Sequence, residues 1–207
     1  MNASELPFSA ACARNRDPIL AILRDTFRDR REVLEIGSGT GQHAVYFAAA
    51  MSWLHWQPTD RAASLPGLRA RIVLEGPANL LAPLELDVAQ RDWPPAPRGA
   101  EGRWDAAFSA NTLHIMSCSQ VEACFAGLGR MLAPAARLAI YGPFRYAGRY
   151  TSESNARFDA ELQARDPASG IRDAEWIDGL AAAQDLEPIA DHTMPANNQL
   201  RIWRRRE

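Results

Sequence analysis

The 207-residue chain sets 23 arginines and no lysine against 25 acids, a formal charge of −2, which excludes the one-sided basic footprint of a nucleic-acid binder. Hydrophobic content of 47% and charged content of 23% are globular values, and a chain of this length buries roughly 70% of its unfolded surface, enough for one core. No apolar run reaches the ~20 residues of a bilayer span, no signal-like segment opens the chain, and Cys12, Cys118 and Cys124 lack CxxC spacing, so a cytoplasmic protein with reduced thiols and no membrane partner is expected, as one domain over 1–207.

Short apolar runs alternate with longer amphipathic stretches, which implies βαβ units around a mostly parallel sheet. The periodicity predicts a helix over 17–27, with Pro18 in its first turn and Ile19, Leu20, Ile22 and Leu23 as its apolar stripe. A strand over 32–36 stops at Gly37, a helix follows over 42–51, and further strands are expected over 53–59 and 84–88. The proline-rich stretch 89–102 reads as a surface loop. A strand over 104–109, a helix over 119–132 stopped before Pro134, and a strand over 137–141 continue the rhythm. It is lost over 144–172, apart from a helix beginning near Asn155 behind the N-capping run Thr151-Ser152-Glu153-Ser154. A helix over 173–183 then precedes two strands, 187–193 and 199–203. Pro195-Ala196-Asn197-Asn198 joins them as a hairpin, so the far edge of the sheet is expected to be antiparallel. The arginines 201 and 204–206 read as the solvated end of a last strand, with a docking patch as the less favoured alternative.

The strongest chemical signal is Glu35-Ile36-Gly37-Ser38-Gly39-Thr40-Gly41, at a strand-to-helix junction. Open α/β sheets bind ligands beyond the carboxyl ends of their strands. Glycines admit the ligand to the backbone there, and the helix start offers free N–H groups. A dinucleotide fingerprint would put its third glycine at position 42, which is Gln42. A carboxylate such as Glu35 suits an ammonium better than a pyrophosphate, so S-adenosylmethionine (SAM) is favoured over NAD. Asp60 ends the second strand, where a carboxylate can accept both ribose hydroxyls. Asp87 and Val88 end the third, placed to meet the adenine amino group and ring. As an alternative, each aspartate is an ordinary strand-end turn residue.

Beyond the fourth strand, Asn111-Thr112-Leu113-His114 stands where a methyl group would meet its acceptor, the Asn111 backbone reaching the methionine end. His114 is the first candidate for a base, since imidazole titrates near neutrality; a satisfied structural histidine is the alternative. His43 could face the cofactor from the first helical turn, but a surface place is favoured. Segment 144–176 is expected to build an acceptor pocket from Arg145, Tyr146, Arg149, Tyr150, Glu153, Asn155, Arg172 and Trp176. Tyr150 is its catalytic candidate, and arginine with tyrosine suits a small anionic or aromatic acceptor; solvated helix faces are the alternative.

Phe8, RNRDPIL at 14–20, VLEIGSGTGQHA at 33–44, WQPTD at 56–60, LELDV at 84–88 and FSANTLHIMS at 108–117 resemble the methyltransferase-like 26 family, as do YGPF at 141–144, TSESNARFD at 151–159 and DHTMPANN at 191–198. The resemblance implies a class I methyltransferase fold: a Rossmann-like α/β three-layer sandwich, its sheet seven-stranded and mostly parallel with the last strand antiparallel. It implies SAM as cofactor and S-adenosylhomocysteine (SAH) as product. Glu35, Gly37, Ser38, Gly39, Thr40, Gly41 and Asp60 would contact SAM, with Asp87 and Val88 at adenine. Arg14 and Asn15 would close over it from an N-terminal helical lid, 1–30. Pro134-Ala135-Ala136 departs from the Pro-Gly-Gly usual before the fifth strand and puts that turn's geometry in question. The expected partner is a small-molecule acceptor nucleophilic through oxygen, nitrogen or sulfur, on a monomer or homodimer. The rival readings are an idle SAM-binding sensor, a NAD-dependent oxidoreductase and, least favoured, a macromolecular methyltransferase.

Overall fold

The computed structural model describes residues 6–207. In chain order the elements are α1 (Ala10–Thr26), β1 (Glu32–Ile36), α2 (Gln42–Ala50), β2 (His55–Asp60), α3 (Leu65–Glu75), β3 (Leu84–Glu85), β4 (Trp104–Ala110), α4 (Cys118–Met131) and β5 (Leu132–Gly142). There follow β6 (Phe144–Tyr146), β7 (Arg149–Tyr150), α5 (Glu153–Arg165), β8 (Arg172–Asp173), α6 (Ala174–Ala182), β9 (Leu186–Met194) and β10 (Asn198–Arg205). Seven strands form one sheet in the order β3-β2-β1-β4-β5-β10-β9, while β7-β6-β8 make a small second sheet. Strands β1 to β5 pair in parallel, and β10 is antiparallel to both β5 and β9. The far edge is thus the antiparallel pair expected of the closing hairpin, with the last strand β10 set between β5 and the edge strand β9.

Strand alternation feeds two cores. Leu34 and Ile36 of β1 pack with Val121, Phe125 and Leu128 of α4 and Ile177 of α6. Val33 of the same strand packs on the opposite face with Leu23 of α1 and Phe47 of α2. Apolar cover on both sides explains why all five residues of β1 are buried. On the α1–α2 face, Phe47, Trp56 and Phe108 form an aromatic cluster with centroids 5.4–5.8 Å apart, each ring contributing roughly 2–3 kcal/mol by burial.

Several elements differ from expectation. The first helix starts at Ala10, where Ser9 caps it, so Pro18 falls inside it and cannot donate to the carbonyl four residues back. Burial of Ile19, Leu20 and Leu23 in the core outweighs that lost bond. Helix α3 has no counterpart in the sequence expectation, because its hydrophobic stripe is weak, with Val73 and Leu74 exposed. The third strand pairs over two residues only. At the start of β5, Ala135 takes the usual glycine place with φ +60°, a left-handed strain of about 1 kcal/mol.

Candidate functional site

The parallel strands end along one rim of the large sheet, and the connections there enclose a cavity of about 540 Å³, within the range of small-molecule sites. Its floor is the loop from β1 to α2. Gly37, Gly39 and Gly41 have φ of 73°, 54° and 76°, values that favour glycine. A Cβ on Gly37 would stand 2.4 Å from Thr112 Cγ2 and one on Gly41 2.7 Å from Leu68 Cδ1, whereas one on Gly39 would meet nothing within 4 Å. Gly37 and Gly41 therefore allow neighbouring elements to pack against the loop. Gly39 leaves room for a ligand against the backbone.

Asp60 ends β2 on the cavity wall, its Oδ2 accepting the Gly39 N–H at 2.7 Å and its Oδ1 the Arg61 N–H at 2.8 Å. A carboxylate held there can receive a pair of hydroxyls. Glu35 lies behind the loop rather than on the wall. It is 2% exposed, and its Oε2 accepts from Ser38 Oγ and Trp56 Nε1, both at 2.9 Å. Burial raises its pKa to about 7 against the opposing pull of those two donors, and Asp60 raises it further.

The loop is also gripped from outside. The buried Arg71 of α3 donates to the carbonyls of Thr40 at 2.6 Å and Pro7 at 2.7 Å. Gln42 accepts the Ser9 N–H at 2.6 Å and the Thr40 hydroxyl at 3.0 Å. A side chain at the place of a third glycine thus ties the start of α1 over the loop, and Ser9, Ala11 and Cys12 reach the wall. Arg14 and Asn15, expected to close the site, are not wall residues: Arg14 is exposed, and buried Asn15 accepts from His43 Nε2 at 2.7 Å. His43 corrects the surface expectation, because α1 covers its place in the first turn of α2. It is 5% exposed, stacks on Phe47 at 5.1 Å and reaches the wall; burial lowers its pKa to about 4.

Past β3, Leu86 and Val88 line the cavity while Asp87 does not. Its carboxylate accepts the Ala89 N–H at 3.0 Å, the work of a turn aspartate. At the end of β4, Asn111 has φ +59° and donates its N–H to the Tyr141 carbonyl at 2.8 Å. Ser109 Oγ meets Thr112 Oγ1 and donates to the Ile36 carbonyl, which knits β4 to the glycine loop.

His114 is 7% exposed and on the wall, edge-to-face with Phe158 of α5 at 5.3 Å. Burial lowers its pKa to about 4, the Arg172 charge adding to the effect and Asp159 opposing it, so the imidazole is neutral at neutral pH. Arg172 holds this loop by donating to the carbonyls of Leu113 at 3.3 Å, Ala168 at 2.8 Å and Met116. Tyr150 stands off the wall, 38% exposed, with its hydroxyl donating to Asp159 Oδ2 at 2.6 Å. The other arginines and tyrosines expected in the pocket also stand off its wall. Arg145 pairs with Asp173 at 2.8 Å, Tyr146 donates to Asp191 at 2.6 Å and Arg149 is exposed. From that segment Asn155 and Phe158, three apart on α5, line the cavity. Phe158 was not foreseen; helical spacing from Asn155 is the signal that could have found it.

The strand order, the inserted antiparallel strand and a ligand cavity at the carboxyl rim define the class I methyltransferase fold. The family described as "Protein of unknown function (DUF938)" matches residues 6–205, and the chain belongs to it. An O-methyltransferase family protein from Burkholderia thailandensis superposes with a TM-score of 0.79 at 16% identity, over 95% of this chain and 58% of that one. The S-adenosylmethionine-dependent methyltransferase SibL in its apo form gives 0.78 at 19%, over 96% and 56%. PigF with SAH gives 0.77 at 16%, over 92% and 56%. The chain spans little more than half the length of each.

Proposed function

We propose that the protein is a SAM-dependent methyltransferase acting on a small-molecule acceptor, the activity that the methyltransferase-like 26 motifs also imply. The carrying observation is the Asp60 carboxylate on the cavity wall, 2.7 Å from the N–H of a glycine whose side-chain space is empty. In this reading Asp60 receives the ribose hydroxyls and Leu86 and Val88 pack on the adenine. Ser38, Thr40 and the backbone of Gly37, Gly39 and Asn111 hold the methionine part, above the buried acid Glu35. Gly41 gives the loop its shape, and Asn15 holds His43 on the wall, while Asp87 and Arg14 stand off it. Bound SAM would supply a methyl group activated by its sulfonium. The chain's own part is to align the acceptor, exclude water and take up its proton. A neutral His114 on the wall has an open lone pair for that proton, though burial beside Arg172 makes it a weak base. We further infer a cytoplasmic enzyme that is a monomer or homodimer and engages no nucleic acid.

Calorimetry with SAM, SAH and NAD tests the reading. Micromolar binding of the first two, weakened at least tenfold by Asp60→Ala (about 1.4 kcal/mol), is expected. Binding of NAD alone, or of none of the three, would refute it.

A further inference from the structure

The cavity runs along the sheet rim from β3 to β10, and its two ends differ in charge. Among the described residues its charged wall residues are Asp60 and Arg61, both at the end of β2. At the other end stand His114, Ile115, Met116, Gln120, Asn155, Phe158 and Asn198, none of them ionised at neutral pH.

The cations nearby are turned to other work. Arg172 donates to backbone carbonyls behind the His114 loop, and Arg145 is paired with Asp173. The Asp159 carboxylate, 1% exposed, is taken up by Tyr150, Gln163 and the Ile171 N–H.

Of the polar groups that remain there, those of Asn155 and Asn198 share one sign, whereas Gln120, whose Oε1 takes the Ser117 N–H at 2.9 Å, presents amide N–H groups. Asn155 spends its amide N–H groups on Thr151 Oγ1 and the Asn197 carbonyl, both at 2.8 Å. Asn198 spends its own on the carbonyls of Pro195 and Ala196, at 3.3 and 3.2 Å. Each is left with a carbonyl oxygen for a ligand, an acceptor that repels anions. Beside them Phe158, set edge-on to His114, offers an aromatic corner suited to a flat ring.

We propose that the acceptor is an uncharged, planar aromatic molecule whose polar groups are hydrogen-bond donors, such as a phenolic hydroxyl, seated against Phe158 with its donors toward Asn155 and Asn198. A carboxylate or phosphate on such a molecule would lose water to an end of the wall whose described residues offer no cation to replace it. The proposal rests on the methyltransferase reading and excludes the anionic acceptor that the arginines of 144–176 suggest by composition.

The test titrates SAH-loaded protein with two probes of one shape, 2-naphthol and 2-naphthoate. Naphthol is expected to bind at least tenfold more tightly. Phe158→Ala should weaken it tenfold while SAH affinity stays within twofold. Ile115→Arg, a cation placed on an exposed part of the wall, should bring naphthoate binding up toward that of naphthol. Naphthoate binding as well as naphthol to the unaltered protein would overturn the proposal. So would a protein that binds SAH and neither probe at millimolar concentration. Failure to bind SAH at all would instead refute the methyltransferase reading, and this one with it.

Discussion

At the β1–β2 end of the cavity, most groups that hold the glycine loop belong to one β–α–β unit, with Arg71 and Ser9 added from α3 and the start of α1. The N–H groups of Gly37 and Ser38 both donate to the Thr59 carbonyl, Asp60 takes the Gly39 N–H, and Glu35 anchors Ser38 from below. At the β4–β10 end the wall is assembled from distant parts of the chain. The Gly170 N–H reaches the His114 carbonyl, Arg172 grips Leu113 and Ala168, and the Asn197 carbonyl holds Asn155. One end is a motif whose backbone geometry is set by local residue types. The other is a meeting of three segments, stable only once the sheet has formed. Cofactor chemistry can accordingly be read from a short stretch of chain, and acceptor chemistry cannot.

The glycine loop offers the hardest test of that contrast. Gly37→Ala would force a Cβ to 2.4 Å from Thr112 at φ +73°, combining overpacking with backbone strain, for a loss of roughly 4 kcal/mol. Gly39→Ala, with open space around it at φ +54°, should cost about 1 kcal/mol and leave a folded protein whose SAH affinity falls more than tenfold. Denaturant unfolding with calorimetry separates the two, and equal stability losses would show that the loop is not divided into packing and ligand-facing glycines.

A smaller effect, read against pH, contrasts the two ends by sign. The Glu35 carboxyl titrates near 4.5 when unfolded and at about 7 when folded. The folded state therefore holds a proton that the unfolded chain has released. Its contribution is whole below pH 4.5 and is lost as pH rises through 7, a swing of about 3 kcal/mol. His114 is the reverse, with its pKa lowered from 6.5 to about 4. Its contribution is whole above pH 6.5 and is lost as pH falls through 4, by a similar amount. Glu35→Gln should thus remove a decline in stability between pH 4.5 and 7, and His114→Gln a rise between pH 4 and 6.5. Unfolding curves at half-unit pH steps would show both slopes; unchanged slopes in either variant would mean that its side chain is not buried as described.

What was legible follows the same division. The strand over 32–36, the loop glycines and Asp60 stand where periodicity and spacing put them, because each depends on residues a few places away. Helix α3 was not, since its role comes from Arg71, whose partners Thr40 and Pro7 are remote in sequence. Composition marked Arg145, Tyr146 and Arg172 as pocket residues, yet composition says nothing of which acids and carbonyls will claim them. His43 was misjudged because only the packing of α1 on α2 buries it.

Tyr150 carries the smallest expected effect and sharpens the contrast most at the acceptor end. Its sequence position suggests catalysis, but its hydroxyl is spent on Asp159, which lies on the buried face of α5 and also takes the Ile171 N–H. Removing the hydroxyl leaves Asp159 with Gln163 and that N–H as donors, so Tyr150→Phe should cost about 1 kcal/mol and leave SAH affinity unchanged. Once an acceptor is in hand, turnover should stay within a few-fold of the unaltered protein. A hundredfold fall in turnover with unchanged stability would reverse the assignment and put the Tyr150 hydroxyl beside the reacting atoms. That outcome would require β7 to swing inward over the cavity, since Tyr150 now stands off its wall.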